Sequence, residues 1–137
     1  MSENVQKIQQ MYAAFGRGDV QTILDNVAPD ITWGTESVVT DVPWYPVVTG
    51  PAAVANFFAT LDRELEFTKF DPKNFVASGD QVLVKVDIGF RIKKNGAAAN
   101  ITSVHEFVVG ADGKVTKYRA VEDTAAVARA WNAKETS

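Results

Sequence analysis

The chemistry open to this sequence begins with a single imidazole. His105 is the only histidine among the 137 residues, and an unperturbed imidazole titrates near pH ~6.5, where it can give or take a proton. It belongs to the run Ile101, Ser103, His105, Phe107 and Val109, which occupies every second position and therefore shares one face of a strand. That face is largely apolar, so the ring is expected to enter a hollow. An imidazole held there is costly unless partnered, and it serves either as an acid or base or as a core residue satisfied by one hydrogen bond. Two carboxylates, Glu122 and Asp123, stand at the end of the following strand. A carboxylate beside His105 would orient the ring and raise its pKa, giving the pair that proton abstraction or ring closure requires. Asp123 also precedes Thr124-Ala125-Ala126-Val127 as a helix N-cap would, and Glu122 can equally be a solvated acid.

Aromatic side chains supply the candidate walls. Tyr12, Phe15, Trp33, Phe57, Phe107 and Tyr118 would line a ligand-binding pocket, although the same spacing serves a plain core. Trp44 and Tyr45 differ, because they sit between Pro43 and Pro46 in a segment without period and must be buried somewhere. They would close a pocket mouth or pack at a subunit interface.

Composition removes several alternatives. With 46% hydrophobic and 23% charged residues the chain reads as one compact domain over 1–137. Its net charge of -3, with basic residues scattered among acids, argues against nucleic acid and against a membrane surface. There is no cysteine, hence no disulfide, thiolate nucleophile or thiolate metal site. The single histidine also removes the multi-imidazole metal site and leaves only an oxygen-rich one, so no bound transition metal is expected; no cofactor is expected either. The start MSENVQKIQQ lacks the features of a targeting segment and no apolar run could span a bilayer, so the expected location is cytoplasmic. No phosphate-binding glycine loop, dinucleotide fingerprint or Ser-His-Asp order occurs.

The elements that must position these groups follow from periodicity. Val5, Ile8, Tyr12 and Phe15 predict a first helix ended by Gly16 and Gly18. Asp19 caps a second helix through Val27, stopped by Pro29, and a short strand follows over 31–35. Residues 36–50 read as a long loop, after which Gly50-Pro51 opens a third helix. Two short strands, 67–70 and 75–77, are separated by a turn at Asp71-Pro72. Val82, Val84, Val86, Ile88, Phe90 and Ile92 then mark a long strand with one wet side, and Asn95-Gly96 turns it into the strand carrying His105. Ala111-Asp112-Gly113 turns the chain again into a strand from Val115 to Glu122, and a helix over 124–131 closes it. Helices followed by a meander predict an α+β fold.

That order, together with FGRGDVQTILDNVAPDITW, GPAAVANFF and HEFVVGADGKVTKYRAVEDTAAVARAW, resembles the nuclear transport factor 2-like superfamily over nearly the whole chain, and within it the SnoaL-like, ketosteroid isomerase-related branch. The resemblance implies a cystatin-like cone, with N-terminal helices packed on a strongly curved antiparallel or mixed sheet, and a homodimer with sheets back to back. It also implies a range of activities, among them steroid isomerases, polyketide cyclases, epoxide hydrolases and non-catalytic binding domains. Laid on the isomerases through the Gly-Asp and Gly-Lys anchors, their base falls at Thr35, their tyrosine at Met11 and their neutral acid at His105, so steroid isomerisation by that machinery is not expected. Similarity to the cyclases instead implies an acid/base carboxylate at Glu122 or Asp123.

The function expected is therefore a cofactor-independent acid/base enzyme, of isomerase, cyclase or hydrolase type, acting on a small apolar carbonyl compound. The alternatives are a module that holds a small apolar organic ligand unchanged, or a dimeric interaction domain.

Overall fold

The structure, a computed structural model, describes residues 2–134; residue 1 and residues 135–137, the ends of the domain expected over 1–137, lie outside the described residues. The chain runs α1 (Glu3–Gly16), α2 (Val20–Asp25), β1 (Val27–Thr35), β2 (Val48–Thr49), α3 (Pro51–Glu64), β3 (Leu65–Ser78), β4 (Gln81–Ile92), β5 (Ala98–Val109), β6 (Val115–Val121) and α4 (Thr124–Trp131). The strands form one mixed sheet in the order β2-β1-β6-β5-β4-β3. All neighbours are antiparallel except β1 and β6, which run parallel. This is the α+β architecture expected.

Local chemistry sets the helix ends. The Ser2 hydroxyl accepts from the Val5 N–H at 3.1 Å and starts α1, which buries Val5, Ile8, Met11 and Ala14. Gly18 turns the chain at φ 72°, a left-handed conformation suited to glycine. Asp19 then caps α2 through the Thr22 N–H. Gly50, also at positive φ, leads into Pro51 at the start of α3. Among the described residues no helix is long and apolar enough to cross a membrane.

The sheet departs from the sequence reading at its two proline strands. The second helix ends at Asp25, and β1 begins at Val27 and runs through Pro29. The pairing with β6 shifts between Val27 and Thr32, and a proline, lacking an N–H, is tolerated in such an irregular stretch. Likewise the two short strands around Asp71-Pro72 are one continuous β3. It lies at the sheet edge, and its register shifts between Pro72 and Phe75, so the missing donor removes no necessary ladder bond. The 36–50 segment contains β2, which pairs Val48 with Trp33 and Thr49 with Thr32.

One core fills the space between helices and sheet. The alternating residues of β4, Val82 to Ile92, are all buried, and Val42, Trp44 and Tyr45 bring the 36–50 segment into the same cluster. At the β4–β5 turn Asn95 is buried, and its amide donates to the carbonyls of Ala130, Trp131 and Ala133, tying down the end of α4. Lys94 lies over the Trp131 ring at 3.5 Å.

The close crossing of β1 by the 36–50 segment requires a glycine. A Cβ on Gly34 would sit 2.6 Å from the Val47 Cα, a backbone atom that cannot swing aside. Gly34→Ala is therefore expected to cost about 1–3 kcal/mol, as overpacking does, read as a lowered urea midpoint, together with loosening of the loop that carries Tyr45. Unchanged stability would contradict this account of the crossing.

Candidate functional site

Strand pairing places the candidate residues on successive rungs of the helix-covered sheet face. Phe107 pairs with Tyr118, and His105 pairs with Ala120. Trp33, on the parallel β1, pairs with Tyr118 from the other side and stacks on it, ring centroids 4.1 Å apart. Helix α1 lowers Tyr12 onto this surface, where it packs near Phe70, Phe75 and Phe107 and lies parallel to the His105 ring, 6.0 Å between centroids. The Tyr12 hydroxyl and His105 Nδ1 are 2.6 Å apart, a short hydrogen bond in an otherwise apolar setting.

These groups line a partly open cavity of about 70 Å³. Of the residues expected to line a pocket, Tyr12, Phe15, Trp33, Phe57, Phe107 and Tyr118 do so, together with His105. Met11, Ile23, Phe58, Leu61 and Phe70 complete the wall. Trp33 adds a polar feature, since its indole N–H is buried and has no hydrogen-bond partner among the described residues. Such a donor is costly in a native interior.

Burial controls the electrostatics. His105 is 5% exposed, and desolvation of its charged form lowers its pKa from 6.5 to about 3. Burial, then the neighbouring Tyr118, pushes Tyr12 well above the ordinary phenol value. At neutral pH the pair is thus a neutral imidazole and a protonated phenol. In the tautomer in which the phenol donates to Nδ1, the ring proton resides on Nε2, and the imidazole can offer a hydrogen bond without carrying charge.

The carboxylates occupy different ground. Glu122 Oε1 accepts from the Ser103 hydroxyl at 2.9 Å and Oε2 from the Tyr45 hydroxyl at 2.7 Å. It is therefore held beside Ser103, one rung beyond His105, or about 7 Å along the strand. Burial raises its pKa, and the two hydroxyl donors oppose that rise. The same charge, after burial, raises the pKa values of Tyr45 and Tyr118. Asp123 caps α4, its Oδ1 accepting from the Ala126 N–H at 3.0 Å.

The hydrogen-bond partner of His105 is consequently Tyr12, where the sequence reading set a carboxylate beside the ring. Burial without an adjacent negative charge moves the imidazole pKa down, whereas the carboxylate partner would have moved it up. Trp44 and Tyr45 do not line the cavity. Trp44 packs against Phe90 and Trp131, and Tyr45, 1% exposed, reaches Glu122 from beneath the 36–50 segment. Ser103 was not among the candidate site residues. Its signal was present, a small hydroxyl on the same alternating face as His105. Arg119, its side chain largely buried, pairs with the exposed Glu36 at 3.6 Å, and Glu106 pairs with Lys117 at 2.9 Å.

Known proteins place the chain in a family. No functionally curated protein matches the sequence. Among solved structures, a nuclear transport factor 2-like protein from Burkholderia xenovorans LB400 is 34% identical, with a TM-score of 0.85 over 95% of this chain and 96% of that one. A nuclear transport factor 2-like protein from Burkholderia pseudomallei K96243 is 25% identical, with a TM-score of 0.86 over 97% of this chain and all of that one (100%). TerC, co-crystallised with polyporic acid, is also 25% identical, with a TM-score of 0.83 over 96% and 100% of the two chains. The family model of the SnoaL-like domain matches residues 8–118, the stretch from α1 to β6 that builds the cavity, and the chain belongs to that family within the nuclear transport factor 2-like superfamily.

Proposed function

We propose that the protein is an acid/base enzyme, working without a cofactor, that moves a proton on a small, mainly apolar carbonyl compound. The observation that carries this reading is the neutral Tyr12–His105 pair, 2.6 Å apart, in the wall of an aromatic cavity. Binding of polyporic acid by TerC, a protein of similar fold at 25% identity, is consistent with an aromatic, oxygenated ligand.

In this mechanism His105 Nε2–H holds the substrate oxygen, with Tyr12 fixing the ring through Nδ1. Glu122 takes the proton from carbon α to the carbonyl, the electron pair moves onto the oxygen as an enolate, and the proton returns at the same or another carbon. The raised Glu122 pKa makes it a stronger base than a solvated carboxylate. Ala120, with only a methyl group, faces His105 across the ladder and leaves room toward Glu122. Asp123 remains a helix cap. A binding module that leaves its ligand unchanged is the second reading, favoured by Glu122 lying outside the cavity lining. We also assign a homodimer to the outer sheet face, where Val104 and Val121 are exposed and directly opposite one another.

Exchange of the α-protons of propiophenone in deuterium oxide, followed by NMR, tests the chemistry. The wild type should accelerate exchange over buffer, and His105→Ala and Glu122→Gln should each lower it by about 10²–10⁴-fold, with ketone binding kept in Glu122→Gln. Binding with no exchange would establish the module reading instead, and undiminished exchange in either variant would remove that residue from the mechanism.

The buried imidazole also has a pH signature. The folded state leaves His105 unprotonated down to about pH 3, whereas the unfolded chain takes up a proton below 6.5. Stability from this source is complete above that value and declines as pH falls toward 3, by about 1.4 kcal/mol per pH unit. Glu122, raised by burial, acts in the opposite sense, with its contribution declining as pH rises through its folded value. Urea unfolding of wild type and His105→Gln between pH 4 and 7 isolates the imidazole, and the wild-type curve should fall more steeply toward acid; parallel curves would refute the buried neutral state. Val104→Lys should convert a dimer to a monomer in sedimentation, and an unchanged sedimentation coefficient would exclude that face.

A further inference from the structure

The cavity and a neighbouring surface groove share part of their walls. The groove, about 770 Å³, lies between the α1–α2 turn, α3 and the start of β3. Phe15, Phe58 and Leu61 line it and also line the cavity of about 70 Å³. Phe15 and Phe58 are 5.9 Å apart between ring centroids, are both half-buried, and stand where the two spaces share their lining. Phe58 touches Trp33 on the inner side, 5.6 Å between centroids. Along α3, Ala55, Phe58, Ala59 and Asp62 fall at helical spacing toward the groove, and the two alanines leave it unfilled.

Size separates the two spaces in function. A cavity of about 70 Å³ is far below the ~300–1,000 Å³ of a typical small-molecule pocket. The polar atoms that a ligand oxygen would meet, those of His105, are nevertheless in its wall. A ligand able to reach them and fill a normal binding volume must extend beyond the cavity, and the groove behind Phe15 and Phe58 is the adjoining space.

We infer that Phe15 and Phe58 form an aromatic gate, and that the ligand is an elongated ketone whose polar head enters the cavity while an uncharged apolar tail lies in the groove. An uncharged tail fits the groove's rim, where Lys93 donates to the Asp62 carbonyl at 2.7 Å and Glu66 is paired with Arg91 at 3.4 Å, so neither sign of charge is left dominant. The apolar floor of Phe15, Phe58, Leu61 and Phe67 accepts methylene groups. Tail length thus sets affinity, independently of the chemistry at the head. This inference rests on the carbonyl-binding reading given above.

Calorimetric titration with phenyl alkyl ketones from acetophenone to octanophenone separates the two. Affinity should rise by about three- to four-fold per methylene through the series. Ala59→Trp, which fills the groove from an exposed position on α3, should lower octanophenone affinity at least ten-fold and leave acetophenone unchanged. Phe58→Leu should raise both association and dissociation rates of octanophenone several-fold in stopped-flow measurements. The same length dependence should persist in Glu122→Gln, whose exchange chemistry is lost. Equal affinity along the series, or an Ala59→Trp protein that binds octanophenone as the wild type does, overturns the tail site while leaving the carbonyl reading intact. Unaltered rates in Phe58→Leu overturn the gate, and failure of every ketone to bind overturns both readings.

Discussion

An imidazole shut away from water must find its hydrogen bond inside the protein, and α1 carries the side chain that supplies it. The geometry around Tyr12 and His105 follows from that requirement. The tyrosine reaches Nδ1 only because Ser2 and the buried apolar face fix α1 in place and rotation, and because Phe70, Phe75 and Phe107 hold its ring. The histidine reaches back only because strict alternation along β5 turns it the same way as Phe107. A neutral, preoriented hydrogen-bonding group in an apolar cavity interacts more strongly than the same group in water.

The second polar cluster solves a related problem differently. Glu122 would be expensive in the core alone, and the hydroxyls of Ser103 and Tyr45 partly replace its lost water. Tyr45 is delivered by the 36–50 segment, itself pinned by β2 and by the crossing at Gly34. The loop therefore acts as a structural strut under the carboxylate, and its two adjacent aromatics serve opposite ends of the core, Trp44 toward α4 and Tyr45 toward β6.

Much of this was legible from residue types and spacing. The alternation of β4 and β5, the caps at Asp19 and Asp123 and the Asn95-Gly96 turn are local signals, and the structure contains each of them. The errors fell where local and tertiary preferences compete. Pro29 and Pro72 read as breaks, yet one lies in an irregular stretch and the other on an edge strand, and neither circumstance can be read from neighbouring residues. The union of Tyr12 with His105 was hidden for a similar reason. Helical spacing marks Tyr12 as inward, but the strand it meets is set by how α1 lies across the sheet. Ser103 and Tyr45 were visible as a hydroxyl on an apolar face and an aromatic in a loop, without a signal joining either to Glu122.

The parallel contact between β1 and β6 has a consequence for how the molecule forms. It sets Trp33 against Tyr118, residues from opposite ends of the chain, and every other pairing of long strands in the sheet joins sequence neighbours. The meander can zip locally, whereas this junction needs a large loop closed first, an entropic expense that high contact order makes slow. During synthesis the hollow therefore stays incomplete until nearly the last strand has emerged, and meanwhile β1 and β5 each expose an unpaired apolar edge to neighbouring chains.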